Sequence, residues 1–109
     1  MRKKEQIKKI RGYGGRYGVS DRGYIISYIG KDRVLTGTET LSGYRVTLYK
    51  KDGTSRKEYV HILVANAFIP KVKGKNIVCH INGDKTNNKA KNLKRVSKAE
   101  LNKIHKRSK

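Results

Sequence analysis

Three residues of this sequence could do chemistry together: His80, Asn92 and His105. An imidazole titrates near neutrality, so it can take up or release a proton at working pH, and its neutral form binds metal ions. Taken singly, each residue has an ordinary explanation, since an isolated His is most often a surface or packing residue and Asn is common in turns. Their spacing carries more weight, because the elements between them bring all three toward one point.

Those elements are short. Asn76 to Ile81 is β-prone and runs into Asn82-Gly83-Asp84, a strong turn signal. A polar stretch through Thr86, Asn87 and Asn88 leads to Asn92-Leu93-Lys94-Arg95-Val96, a second short strand. Ser97-Lys98-Ala99-Glu100 matches the S-x-x-E capping box, so a helix begins there with Leu101, Ile104 and His105 along one face. The order is strand, loop, strand, helix.

Upstream the texture changes. Gly-Tyr pairs recur at Gly12-Tyr13, Gly23-Tyr24 and Gly43-Tyr44 and bound short β-prone runs such as Tyr24 to Ile29. From Tyr44 to Tyr49, Tyr44, Val46 and Leu48 face one way while Arg45, Thr47 and Tyr49 face the other. Lys51-Asp52-Gly53 then turns the chain, and Arg56 to Tyr59 returns as the hairpin partner. Val60, Leu63, Val64, Ala67 and Phe68 follow at helical spacing and form the apolar stripe of one short helix. Pro70, the only proline, and the run Lys71 to Lys75 make a candidate linker dividing residues 1–70 from 71–109. The fold class read from this is α+β: a small antiparallel N-terminal sheet with a short helix, followed by a ββα unit.

Composition bounds the partners. In 109 residues, 28 Lys and Arg oppose 8 acidic residues, for a formal charge of +20. Solubility needs a net charge of only about 2 to 8 in a small domain, so this excess points to a polyanion. No segment has the apolar length of a membrane span, and no basic helix carries a broad apolar face for a membrane surface, which leaves nucleic acid. Residues 1–11 lack the apolar run of a secretory signal, and the single cysteine, Cys79, forms no internal disulfide, as expected of a reducing compartment. The Arg and Lys residues assigned to phosphate contacts are Arg45, Lys85, Lys89, Lys94, Arg95 and Lys103.

The stretch from Val78 through Cys79-His80-Ile81-Asn82-Gly83-Asp84 to Asn87-Asn88, with Asn92-Leu93 and the helix through His105, resembles the HNH nuclease motif, a ββα-metal (His-Me finger) fold. Upstream, Ile10 to Ser20, Gly43-Tyr44 and Val60-His61 to Pro70 are similar to the N-terminal region of phage-type HNH homing endonucleases. The resemblance implies a DNA endonuclease in the cytoplasm of a bacterial or phage-infected cell, with double-stranded DNA as substrate, no small-molecule substrate and no membrane partner. It makes His80 the general base that activates water and Asn92 the residue that braces the loop and orients that base. His105 becomes a ligand of a divalent metal, Mg2+, Mn2+ or Zn2+, with Cys79 as the second ligand.

Two positions depart from the family pattern. Cys79 stands where Asp, Asn or His is usual, and a thiolate favours soft ions such as zinc. Leu101, four residues before His105, replaces a His or Asn and cannot bind metal; the adjacent Asn102 is rotated by about 100° on a helix. Cys79 reads equally well as a small buried apolar residue. His61 occupies a family-typical position, but with no acidic or His residue beside it in sequence it reads as structural. The competing function is therefore a degenerate HNH protein that binds DNA without cutting. A third, an RNA-binding protein, uses the charge and leaves the His80, Asn92 and His105 spacing unexplained.

Overall fold

The computed structural model describes residues 5–35 and 37–107, with side chains as far as Asn102. Its first sheet is an antiparallel meander of β1 (Ile7–Lys9), β2 (Tyr17–Ser20), β3 (Ile25–Ser27) and β4 (Arg33–Leu35). A second antiparallel sheet follows, made of β5 (Thr38–Thr40), β6 (Gly43–Tyr49) and β7 (Ser55–Tyr59). Helix α1 (Val60–Phe68) leads to the hairpin of β8 (Ile77–His80) and β9 (Leu93–Val96), and α2 (Lys98–Arg107) closes the chain. This is an α+β fold ending in a ββα unit. Where one N-terminal sheet was expected there are two, and between β4 and β5 the chain passes through Gly37 at φ +73°, outside the extended region.

Strand β6 shows how the pattern becomes packing. Val46 and Leu48 are buried while Thr47 and Tyr49 are exposed, the alternation of a sheet covered on one side. Leu48 loses all its exposure, worth about 1.5–3 kcal/mol of transfer free energy. The β6–β7 turn is held by Asp52 Oδ1, which accepts from the Thr54 amide at 2.9 Å and the Thr54 hydroxyl at 2.6 Å. The two sheets are tied where the Tyr49 amide donates to the Tyr17 hydroxyl at 3.0 Å.

Helix α1 is apolar almost all round and has no side-chain cap at Tyr59, so burial rather than local propensity sustains it. It lies at the centre of the molecule, against β2, β6 and β7 on one side and β8 and β9 on the other. Val78 and Leu93 of the last hairpin belong to the same hydrophobic cluster as Ile10, Val19, Leu48 and Val64. The core thus runs continuously across Pro70.

The C-terminal end of α1 is capped from a distance. The Arg95 guanidinium donates to the Ala65 carbonyl at 3.1 Å and the Ile69 carbonyl at 3.2 Å, and Lys8 Nζ donates to the Ala67 carbonyl at 2.9 Å. Cations there add hydrogen bonds to the carbonyls of the last turn and oppose the negative end of the helix dipole. At the start of α2 the capping box forms as the sequence implies: the Glu100 amide donates to Ser97 Oγ and the Ser97 amide to Glu100 Oε1, both at 3.2 Å.

Candidate active site

The β8–β9 hairpin pairs His80 with Leu93 and Cys79 with Lys94. Alternation then sends Val78 and His80 to the face covered by α1, and Cys79 to the other. On the α1 face the His80 ring lies against His61, with centroids 4.9 Å apart. His61 is buried at 7% exposure, and its Nδ1 has no hydrogen-bond partner. Its ring packs so closely on Gly43 that a Cβ there would sit 3.1 Å from Nδ1. Burial, followed by the nearby charges of His80 and Lys85, pushes the His61 pKa down to about 4. At neutral pH His61 is therefore an uncharged ring beside the candidate base.

The loop from Ile81 to Asn88 is self-bracing. The Gly83 amide donates to the His80 carbonyl at 3.0 Å, with Gly83 at φ +76°. Asn82 Oδ1 accepts from the Asp84 amide at 2.8 Å, and Asp84 Oδ1 from the Thr86 amide and hydroxyl at 2.9 and 2.6 Å. The Thr86 hydroxyl bond holds the Asp84 carboxyl below its usual pKa. Asn92, buried at the foot of β9, spans this loop: its Nδ2 donates to Asn82 Oδ1 at 3.0 Å and to the Asn87 carbonyl at 2.9 Å, while its Oδ1 accepts from the Asn82 amide at 3.3 Å.

With these bonds made, Asn92 does not reach the imidazole. The group that touches His80 is Asn88, whose Oδ1 lies 2.8 Å from His80 Nε2. A carboxamide oxygen only accepts, so Nε2 carries the hydrogen and the lone pair that can take a proton sits on Nδ1. Asn88 was not singled out in the sequence. The Asn87-Asn88 pair was visible, but nothing local says which Asn turns inward. His61 was likewise read as structural because it has no His or acidic sequence neighbour; in space its neighbour is His80.

The opposite face of the hairpin is poorer in donors. Burial pushes the Cys79 thiol above its usual pKa, with Glu100 acting in the same direction and Lys94 against it. Binding a metal through this thiol would require the loss of its proton. Leu101 brings only hydrocarbon to the facing helix, Asn102 is exposed, and the His105 and Lys103 side chains lie outside the described residues. Among the described residues no three His, Cys, Asp or Glu side chains cluster, so those residues by themselves do not assemble a divalent-cation site.

Of the residues assigned to phosphate, Lys89 and Lys94 are exposed and Arg45 is half-buried on β6. Lys85 is exposed and donates to the Leu41 carbonyl at the β5–β6 turn. Arg95 has a different task from the one expected, because its guanidinium is committed to the end of α1.

Comparison with known proteins places this geometry. Residues 58–103 match the model of the HNH endonuclease family. A protein of Acanthamoeba polyphaga mimivirus, described as an uncharacterized HNH endonuclease, is 34% identical over 105 residues, which are 92% of this chain and 26% of that protein. The solved structure of the HNH homing endonuclease I-HmuI, described for DNA binding and cleavage, superposes with a TM-score of 0.79 at 33% identity, covering 94% of this chain and 58% of the other. The chain thus spans about a quarter of the viral relative and somewhat over half of the solved one.

Proposed function

Because the chain carries an HNH endonuclease domain within the fold of an HNH homing endonuclease, we propose that it binds double-stranded DNA and hydrolyses a phosphodiester bond with His80 as general base. The observation that carries this is the His80 imidazole, held through Nε2 by Asn88 beside a loop that Asn92 braces. A water placed against Nδ1 gives up its proton there as its oxygen attacks phosphorus, and the bond to the leaving deoxyribose oxygen breaks. General-base assistance of this kind is worth about 10²–10⁴ in rate. Residues 1–70 contribute most of the grip on DNA and residues 71–109 the cleavage face, on one shared core.

HNH nucleases generally use a divalent metal, whose chemistry is charge stabilisation at the phosphate and the leaving oxygen. Leu101 has no donor atom and the Cys79 thiol is made harder to ionise by burial, and these features favour a second reading, a DNA-binding module that retains the base and has lost most hydrolysis.

Two measurements test the proposal. DNA affinity should fall steeply with salt, with a slope near −0.9 per phosphate neutralised and about 6–10 phosphates involved. Nicking of supercoiled plasmid, assayed across a panel of divalent ions, should depend on His80. A flat salt titration would remove the nucleic-acid reading, and tight binding without any His80-dependent nicking would leave the binding module.

A further inference from the structure

Asn88 and the N-terminal sheet are 65 positions apart in sequence at their point of contact, Gly23, yet they meet with no room between them. Gly23, in the β2–β3 turn, has φ +96°, and a Cβ there would lie 2.5 Å from the Asn88 carbonyl carbon and 2.8 Å from the Lys89 nitrogen. Both are backbone atoms and cannot swing aside. Close by, the Ala90 amide donates to the Asp21 carbonyl at 2.8 Å. On the other side the Asn87 carbonyl is held by Asn92 Nδ2. The peptide carrying Asn88 is therefore fixed from both directions, and its side chain, 5% exposed, is aimed at His80 Nε2.

We propose that the β2–β3 turn of the N-terminal sheet, acting through Asn88, sets the tautomer and orientation of the His80 imidazole. Asn88 is a positioning residue, and Gly23 and Asp21 are the seat that holds it. An unheld imidazole divides its hydrogen between Nδ1 and Nε2 and turns about its side-chain bonds; an acceptor fixed opposite Nε2 keeps the hydrogen there and leaves Nδ1 free. The sheet proposed to grip DNA is thus mechanically continuous with the direction in which the base points. This rests on the reading of His80 as base only for its consequence in cleavage; the latch itself is a statement about the protein alone.

The test is the pair of His80 ring-nitrogen resonances in 15N-labelled protein at alkaline pH, assigned by their loss in His80→Ala. The parent should show one tautomer, with the hydrogen on Nε2. Asn88→Ala should move both nitrogens toward the averaged shifts of a mixed-tautomer imidazole. Asn88→Asp, which keeps an accepting oxygen, should restore the parent tautomer. Gly23→Ala should act like Asn88→Ala. Should it fail to fold, Ala90→Pro removes the amide that bonds Asp21 at a position whose preceding residue, Lys89, already has the extended backbone that proline requires, φ −61° and ψ 140°. Tyr13→Phe, which deletes a hydrogen bond to Glu58 and touches neither the turn nor the loop, should leave the resonances in place. Parent-like resonances in Asn88→Ala overturn the positioning role, and parent-like resonances in both Gly23→Ala and Ala90→Pro overturn the latch. In plasmid nicking, Asn88→Ala should lower kcat about a hundredfold with duplex affinity unchanged. The spectra need neither DNA nor turnover, so a parent that does not nick counts against the base reading and not against the latch.

Discussion

The two faces of the β8–β9 hairpin have kept different things. On the α1 face the groups around His80 are held in sequence: Asn88 holds the imidazole, Asn92 holds the loop, and the N-terminal sheet holds Asn88. On the α2 face stand the Cys79 thiol, its pKa raised by burial, and Leu101, which has no donor atom. Proton transfer and charge stabilisation are separable parts of phosphodiester hydrolysis, and under the proposed function the hairpin would separate them physically, since alternate residues of one strand point to opposite sides. A domain can therefore lose one function without disturbing the packing that supports the other.

The largest effect expected is on the braced face. His80→Ala should lower plasmid nicking by about 10²–10⁴ with little change in duplex affinity measured beside it. Equal nicking in parent and variant would mean that the two faces are alike, both relics.

The other face is sharpened by repair. Leu101→His with Cys79→Asp should tighten Mn2+ binding, read by calorimetry, and raise nicking by up to about a hundredfold, part of the several kcal/mol that a well-held cation supplies. Adding His80→Ala should cancel the gain in nicking and leave the gain in binding. A parent that already nicks as fast as the repaired variant shows that Cys79 and Leu101 do not impair the site.

Next in size is the brace. Asn92→Ala leaves the Asn82 amide and the Asn87 carbonyl without their partner, so stability should fall by about 1–3 kcal/mol in denaturant unfolding. Leu101→Ala, on a half-buried side chain, should cost less; the reverse order would place the structural weight on the wrong face.

The last effect is in pH. His61 has a folded pKa of about 4 against an ordinary value near 6.5, so between those limits the unfolded chain binds the extra proton. Stability that is whole above pH 6.5 should decline as pH falls toward 4, at no more than about 1.4 kcal/mol per unit. His61→Phe should flatten that part of the profile, and an unchanged slope would show that His61 is not held neutral.

The elements themselves were legible. The alternation of Val46 and Leu48, the stripe from Val60 to Phe68, the Asn-Gly-Asp turn and the Ser97–Glu100 capping box are local patterns, each decided by residues within one or two turns of chain, and each forms where the sequence places it. The same locality left the division of the β-rich half into two sheets unread, because it falls between two three-residue strands too short to carry a pattern of their own.

What the sequence by itself determined about this protein is its charge, the order of its elements, and the strand that carries His80. Only the tertiary structure decided which groups meet there. His61 comes from a helix 19 residues upstream, the partner of Asn88 is a glycine 65 positions away, and Arg95 turns to the end of α1 instead of outward. Such contacts leave no periodicity to read, because they are fixed by how the buried faces of separate elements pack around α1. A side chain's partner is then chosen by the geometry of the whole core and not by its neighbours along the chain.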